Sequence, residues 1–494
     1  MSIKKYIANA DTTITNAFKE DLSTRATGSN MGLSDSLEVF SIYGQVYDQT
    51  VSPPTAELEK SRILIQFPVD DIIADRTAGT IPTSGVKYVL NLYNAVHPNT
   101  LPKNFTLTVR ALGQSWNEGH GLDMEDYKDE DDHHGGSGSG WKYRSASTLW
   151  STEGGHAHTD PLDPLFTATF EDGDEDLSID ITTLVDQWIS GGMTNYGLLI
   201  SMSGSFEDGT NQRSYYTKKF FARGSEFFFK KPALEARWNS AQTDDRGNFY
   251  ASGSLMTAAD NTHKLYLRNY VAGRPTDVKG DAALIPRVKF FNASDDLTPA
   301  PGGITEWTTG VRESEGVYYI TGILDTARTS VYAKWYTSTD ENEVWHAETL
   351  TIKQRSTSDM ATTQTNPEYV TNISNMKAEY SRSEVGRFRL YTRLKDWSPT
   401  IYTVANNTIE TTTIEQSYYK IFRVVDDETV IDYGRGTATT SNDHTKLSYD
   451  MSGSYFDLDM SQLEAGYMYG IKLLFVINGE VKEQSEVFKF RVEK

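Results

Sequence analysis

Apolar residues recur at helical spacing in one stretch of the chain and at strand spacing along most of the rest. Ile181, Leu184, Val185 and Trp188 share one face of a helical repeat, which predicts a short amphipathic helix. Gly191 and Gly192 follow its last apolar turn and stop it, because glycine takes the left-handed closing conformation at little cost. Tyr196 to Ile200 then reads as a buried strand. Tyr216 to Arg223 and Ala233 to Trp238 are further strands, with Pro232 placed where the last begins. This closing segment, 179–238, reads as the stretch around which the rest of the chain is arranged. Upstream, Val86, Tyr88, Leu90 and Leu92 alternate along one face, as do Phe105, Leu107, Val109 and Ala111, the mark of half-buried strands. Ile3 to Ile7, Leu37 to Tyr43 and Arg62 to Phe67 are strands as well, and Val69 to Ala74 is one helical turn. Gly28 to Asp35 is a turn-rich loop, and Thr55 to Lys60, after Pro53-Pro54, is a charged connection.

A nearly wholly polar run, Asn239 to Gly247, marks a domain boundary. Beyond it, 248–358 holds strands at Lys264 to Val271, Arg287 to Phe291, Val317 to Ile323, Val331 to Trp335 and Glu348 to Ile352. Segment 366–494 has the same texture, with strands at Phe388 to Leu394, Tyr418 to Asp426, Thr429 to Tyr433, Phe456 to Asp459, Tyr467 to Ile477 and Glu486 to Val492. Asn478-Gly479 is a hairpin signal. Strands separated by frequent turns in segments of this length suit two immunoglobulin-like β-sandwiches. The expected fold is therefore all-β and multi-domain: 1–240, 248–358 and 366–494.

Several short motifs carry a resemblance. Asp180-Ile181-Thr182 with Val185, Trp188 and Asn195-Tyr196-Gly197-Leu198-Leu199 resembles the closing segment of DNRLRE-type β-sandwich domains. Ala10-Asp11-Thr12-Thr13-Ile14, Ser61 to Phe67 and the Ser115-Trp116-Asn117-Glu118-Gly119 turn resemble the same family in the same order. The likeness covers the first half of the chain and implies a carbohydrate-binding-module-like sandwich there. Separately, PALEARWNS, KDWSPTIYTVANN and GYMYGIKLLFVINGEVKEQSEVFKFRVE resemble virion structural proteins of large tailed bacteriophages of marine bacteria. That likeness implies a place in a particle, assembled in the infected host cytoplasm, with other virion proteins and further copies of itself as partners.

Composition narrows the chemistry. The chain has 494 residues, enough for several cores, and no cysteine, so disulfides and thiolate chemistry are excluded. Its formal charge of -21 repels phosphate backbones, and no nucleic-acid partner is expected. Lys218, Lys219, Arg223, Lys230 and Lys231 form a local basic patch that reads as a charged strand edge. No apolar run is long enough for a signal peptide or to cross a membrane.

Candidate sites are few. The 117–140 run NEGHGLDMEDYKDEDDHHGGSGSG carries eight acidic residues and no β-branched one, so it builds no core and reads as a surface loop. Its DYKDEDDHH and GGSGSG pieces look somewhat like an epitope tag with a linker. His120, His133, His134, His156 and His158 cluster in or near this loop, and the last two share a side if extended. Asp172, Asp174 and Asp176 offer oxygens suited to Ca²⁺, though the run lacks the spacing of an EF-hand loop. Trp141, Tyr143 and Trp150, beside the acidic loop, are candidates for stacking on a host-surface glycan, whereas Trp188 and Trp238 belong to a core. No nucleophile elbow, P-loop or HExxH motif occurs. The sequence thus points to a non-enzymatic virion structural protein of the tail, neck, baseplate or capsid surface. A carbohydrate-binding host-attachment adhesin is the alternative.

Overall fold

The computed structural model describes residues 2–19, 24–48, 55–96, 101–122, 138–145, 147–158, 164–208, 214–254, 256–300, 306–325, 328–337, 340, 342–353, 367–395, 411–436, 440–477 and 479–494. These residues are mostly β, and the chain forms two compact units. One comprises Ser2–Asn239 together with Gly434–His444; the other comprises Ser240–Tyr433 and Thr445–Lys494.

In the N-terminal unit two antiparallel sheets share one core. The smaller runs Ile3–Ile7, Ala233–Arg237, Lys87–Leu92, Leu177–Asp180. The larger runs Tyr215–Phe221, Ser36–Asp48, Thr55–Gln66, Leu198–Met202, Phe105–Ala111, Phe166–Phe170, with Ala10–Thr15 also paired to Thr55–Gln66. Tyr88, Leu90 and Leu92 from the first sheet meet Ile63, Ile65, Leu107, Val109, Leu198 and Ile200 from the second. The period of two that the sequence shows along Lys87–Leu92 and Phe105–Ala111 is thus the period of core contact.

The helix predicted from apolar spacing spans Thr182–Ser190 and buries Leu184, Val185 and Trp188. Burying a side chain of this size contributes roughly 1.5–3 kcal/mol, far more than intrinsic propensity gives so short a helix. Asp180 Oδ1 accepts from Thr182 N at the entry, and Gly191 closes the exit at φ 75°. The following Asn195-Tyr196-Gly197 is a bracket. Asn195 Nδ2 donates to Phe67 O, its Oδ1 accepts from Gly197 N, and Gly197 (φ 95°) passes so close that a Cβ would lie 2.4 Å from Ile65 O.

Three expectations change. The charged stretch after Pro53-Pro54 is the first half of one 12-residue strand, Thr55–Gln66. Its Glu59 is 9% exposed, because Oε2 accepts from Phe18 N and satisfies the carboxylate inside. The helical turn at Val69 extends to Thr77. Ala10–Thr15, Phe166–Phe170 and Leu177–Asp180 are strands as well: the last two alternate apolar and polar residues but over only five and four positions, and the first is mostly Thr and Asp.

The other unit contains two sheet pairs. The first has Thr262–Arg268, Val317–Ile323 and Thr309–Ser314 against Glu306–Trp307, Pro286–Phe291, Ser330–Thr337 and Val344–Thr351. Leu265, Val288, Phe290, Trp307, Ile320 and Trp335 fill it. The second sets Tyr369–Ile373, Val385–Leu394, Gly453–Asp459 and Ser448–Asp450 against a sheet of Glu379–Ser381, Phe488–Glu493, Met468–Ile477, Ser417–Arg423 and Thr429–Ile431. Its core is a run of rings: Tyr419 stacks on Phe456 at 4.2 Å, and Phe456 on Phe388 at 5.1 Å.

Within this unit the polar boundary segment is structural. Phe249 and Ala251 enter the core of the first pair. A few residues earlier, Tyr449 N donates to Gln242 O and Asp244 N to Tyr449 O, which ties the same segment to the second pair.

Candidate functional site

The acidic turn 171–176 is organised around cations the protein already owns. Glu175 draws in the backbone N–H groups of Glu171, Asp172 and Gly173, each at 2.7 Å. Burial pushes its carboxyl up, but these donors outweigh burial and hold it below the ordinary value. Asp172 pairs with Lys103 at 2.7 Å, Asp176 accepts from Asn94 N at 2.7 Å, and Asp174 is exposed. The turn's carbonyls are engaged by Lys218, whose Nζ donates to Gly173 O and Glu175 O at 2.8 Å and to Asn94 Oδ1 at 2.7 Å. An ammonium therefore holds the carbonyls of this turn, while of the three carboxylates that the sequence offers to calcium Asp172 faces Lys103, Asp176 a backbone N–H, and Asp174 solvent.

Lys218 also changes the expected basic edge. Its side chain is fully buried, 0% exposed, with Nζ over the rings of Phe170 and Phe220 at 4.9 and 5.2 Å. Burial brings its pKa down to about 8. Lys219 instead pairs with Glu38 at 3.5 Å, and Arg223 with Glu118 at 2.5 Å.

The aromatic platform is not presented to solvent. Trp141 and Trp150 are 6% and 5% exposed and cover an apolar stripe of Ile14, Leu64, Leu112 and Leu199 on the back of the larger sheet. Trp150 Nε1 donates to Gly140 O, and the Arg62 guanidinium lies 4.9 Å from the Trp141 ring. A sugar finds no free ring face on either tryptophan. Tyr143 is half-buried, with Lys142 Nζ 5.6 Å from its ring centre. Trp188 and Trp238 are core residues, 4% and 5% exposed.

His156 and His158 flank Ala157, which bridges Leu112, so this piece is extended along the sheet. Among the described residues no group of three or more His, Asp or Glu side chains gathers around a common point. His133, His134 and most of the acidic 117–140 run lie outside the described residues. The ends of that run are pinned by one residue the sequence reading did not single out. Asn30 Nδ2 donates to Glu118 O and Ser139 O at 2.7 and 2.8 Å, while its Oδ1 accepts from Gly32 N and Gly121 N. Glu118, from the Trp-Asn-Glu-Gly motif, accepts from Asp11 N and from Arg223. Asp11 Oδ2 accepts from Arg223 N at 2.6 Å, yet burial lifts the Asp11 carboxyl to about 7.

The second unit carries a concave feature that no motif announces: a polar cleft of about 500 Å³ between its two sheet pairs. At its floor, Asp245 Oδ1 accepts from Tyr449 OH at 2.8 Å and Oδ2 from Lys264 N at 2.6 Å. Burial raises the Asp245 carboxyl, against these donors. His263 lies beside it, its Nδ1 3.9 Å from Asp245 Oδ2 and its Nε2 2.8 Å from Tyr250 O. The next residue, Arg246, anchors the segment: it grips Glu348 through Nε and Nη2 and Asp244 through Nη1.

No family model matches the chain, and no curated protein matches it. Solved structures similar in part include the Yersinia pseudotuberculosis adhesin InvE, at 10% identity and TM-score 0.16, covering 49% of this chain and 56% of the adhesin. The chain thus spans little more than half of that adhesin's length. A marsupial T cell receptor follows at 9% identity, TM-score 0.16, and 50% and 71% coverage. A DUF4785-family protein from Legionella pneumophila aligns over 81% of this chain and 82% of its own, at 7% identity and TM-score 0.13. Likenesses this distant carry no argument about activity or partners. What stands is an all-β, multi-domain chain with one polar cleft described in its second unit.

Proposed function

We propose that this chain is a non-enzymatic structural protein of a tailed-bacteriophage particle, placed in the tail, neck, baseplate or capsid surface. In this reading a DNRLRE-like sandwich is followed by two immunoglobulin-like sandwiches, and the protein works through contacts with other virion proteins and with copies of itself. The observation that carries the reading is the junction inside the second unit. Residues 242–251 are hydrogen-bonded into one sheet pair and contribute core side chains to the other, which suits a part that must hold a spacing. The residues behind the resemblance agree with it. Trp116 Nε1 donates to Tyr196 O, Glu118 ties Asp11 to Arg223, and Asn195 brackets the strand ahead of it, all framework roles.

The test is quantitative mass spectrometry of gradient-purified particles, with immunogold microscopy using antibody raised against the purified chain. The expected result is a fixed ratio to the major capsid protein and label at one particle region. Recovery only in the particle-free fraction overturns the proposal.

A further inference from the structure

We infer that the polar cleft of the second unit is a binding site for a neutral, hydroxyl-rich ligand of short-oligosaccharide size. The inference stands on the cleft alone and does not require the particle role. Its volume, about 500 Å³, lies in the ~300–1,000 Å³ range of small-ligand clefts. Both sheet pairs contribute to it: Asp260, Thr262 and Lys264 from one, Glu415, Gln416 and Lys446 from the other.

The lining chemistry selects the ligand by elimination. Three carboxylates (Asp245, Asp260, Glu415) and Lys446 line the cleft, and the Lys264 ammonium is drawn off over the Tyr319 ring at 3.8 Å and towards Glu313 at 3.9 Å, so neither a phosphate nor another anion finds a net positive field. A metal ion is disfavoured as well. Both oxygens of Asp245 are committed to Tyr449 OH and Lys264 N, and among the described residues no three carboxylates or histidines gather there around one point. An apolar ligand meets walls made mostly of amides, hydroxyls and charges. Sugar hydroxyls both donate and accept, so they satisfy carboxylates and ammonium groups side by side without bringing charge of their own. Tyr250, half-buried on the cleft wall, provides the apolar surface that the C–H face of a pyranose needs, while Tyr449 is buried beneath it with its OH on Asp245. Glu415 and Gln416 are exposed at the rim, where a chain of sugars can run on into solvent.

The probes are maltotriose, cellotriose and chitotriose, with triglycine and inorganic phosphate as comparators. Each is followed on the full-length chain by saturation-transfer NMR and calorimetry. At least one trisaccharide is expected to bind, and Tyr250→Ala or Glu415→Ala is expected to weaken it tenfold or more. Tyr215→Ala, an exposed ring in the other unit, leaves binding unchanged. If Tyr250→Ala fails to fold, the rim variant Glu415→Ala decides. Binding of no trisaccharide, preference for triglycine or phosphate, or unchanged sugar affinity in the cleft variants each overturns the inference. The particle role is read separately, from mass spectrometry of particles, so the two fail independently.

Discussion

Replacing Lys218 with methionine tests how the acidic turn is held. The wild-type ammonium makes three hydrogen bonds of 2.7–2.8 Å inside the N-terminal unit. Hydrogen bonds from a charged donor contribute roughly 1.5–3 kcal/mol each, so their joint loss removes about 5–9 kcal/mol. Against this stands the cost of burying the charge. Lowering the pKa from 10.5 to about 8 disfavours the charged form by roughly 3 kcal/mol, and methionine recovers that. Methionine also keeps the contact with the Phe170 and Phe220 rings. The balance is a destabilisation of about 2–6 kcal/mol, left behind as unpaired acceptors at Gly173 O, Glu175 O and Asn94 Oδ1.

Urea unfolding at pH 7, followed by near-UV circular dichroism, measures the difference. A Lys218→Met variant as stable as wild type would refute the reasoning, because the carbonyls would then have been satisfied without the ammonium. The pH dependence supplies a second readout. Between about pH 8 and 10.5 the unfolded chain keeps a proton on Lys218 that the folded chain has released. Stability therefore rises with pH across that window on account of this group. The difference between wild type and Lys218→Met isolates that rise from the other groups titrating there, and a parallel pair of curves would count against a depressed Lys218.

Three further outcomes are expected. Glu235→Gln strips a buried carboxylate from Lys5 (3.1 Å) and Arg237 (2.6 Å) and costs about 3–5 kcal/mol by chemical denaturation. Burial opposes the Glu235 charge, but Lys5 and Arg237 hold its pKa at about 2, so its stabilisation is complete above the ordinary carboxylate value and drains as pH falls towards 2; an acid titration of wild type against the variant checks this. Asp11→Asn keeps the acceptor for Arg223 N; because the Asp11 carboxyl is raised to about 7, the wild type loses stability as pH rises from 3.8 through 7, and the variant is the more stable by up to about 4 kcal/mol at pH 8 but not at pH 4. Gly197→Ala meets both a positive φ and the Ile65 carbonyl, and a loss of about 1–3 kcal/mol is expected in thermal unfolding, against almost none for Gly192→Ala, whose nearest neighbour is the Ser190 hydroxyl at 3.5 Å.

How much of this was legible in the sequence depends on the range of the signal. The Thr182–Ser190 helix and the strands from Lys87 and Phe105 are written in local spacing, and the structure follows it within a residue or two. Lys218 was legible too, but only by parity: it lies between Tyr216 and Phe220, both turned to the core, so the alternation that buries them buries it. The tryptophans needed a longer inference. Ile63-Leu64-Ile65 and Leu198-Leu199-Ile200 are unbroken apolar runs, which means strands buried on both faces, and so something large must cover Leu64 and Leu199. Trp141 and Trp150 were the large residues within reach. The cleft had no such trace. Its floor joins Asp245 to Tyr449, 204 residues apart, and nothing in the local pattern around either residue encodes the other. A polar run such as 239–247 reads as a linker because its side chains have no local use; its use is the junction, where Asp244, Asp245 and Arg246 each find a partner from a distant strand or turn to a neighbour. Charged residues that look idle in one segment are therefore the ones to examine first where two sheet pairs meet, and it is there, among the described residues, that opposed charges gather around a space a ligand can fill.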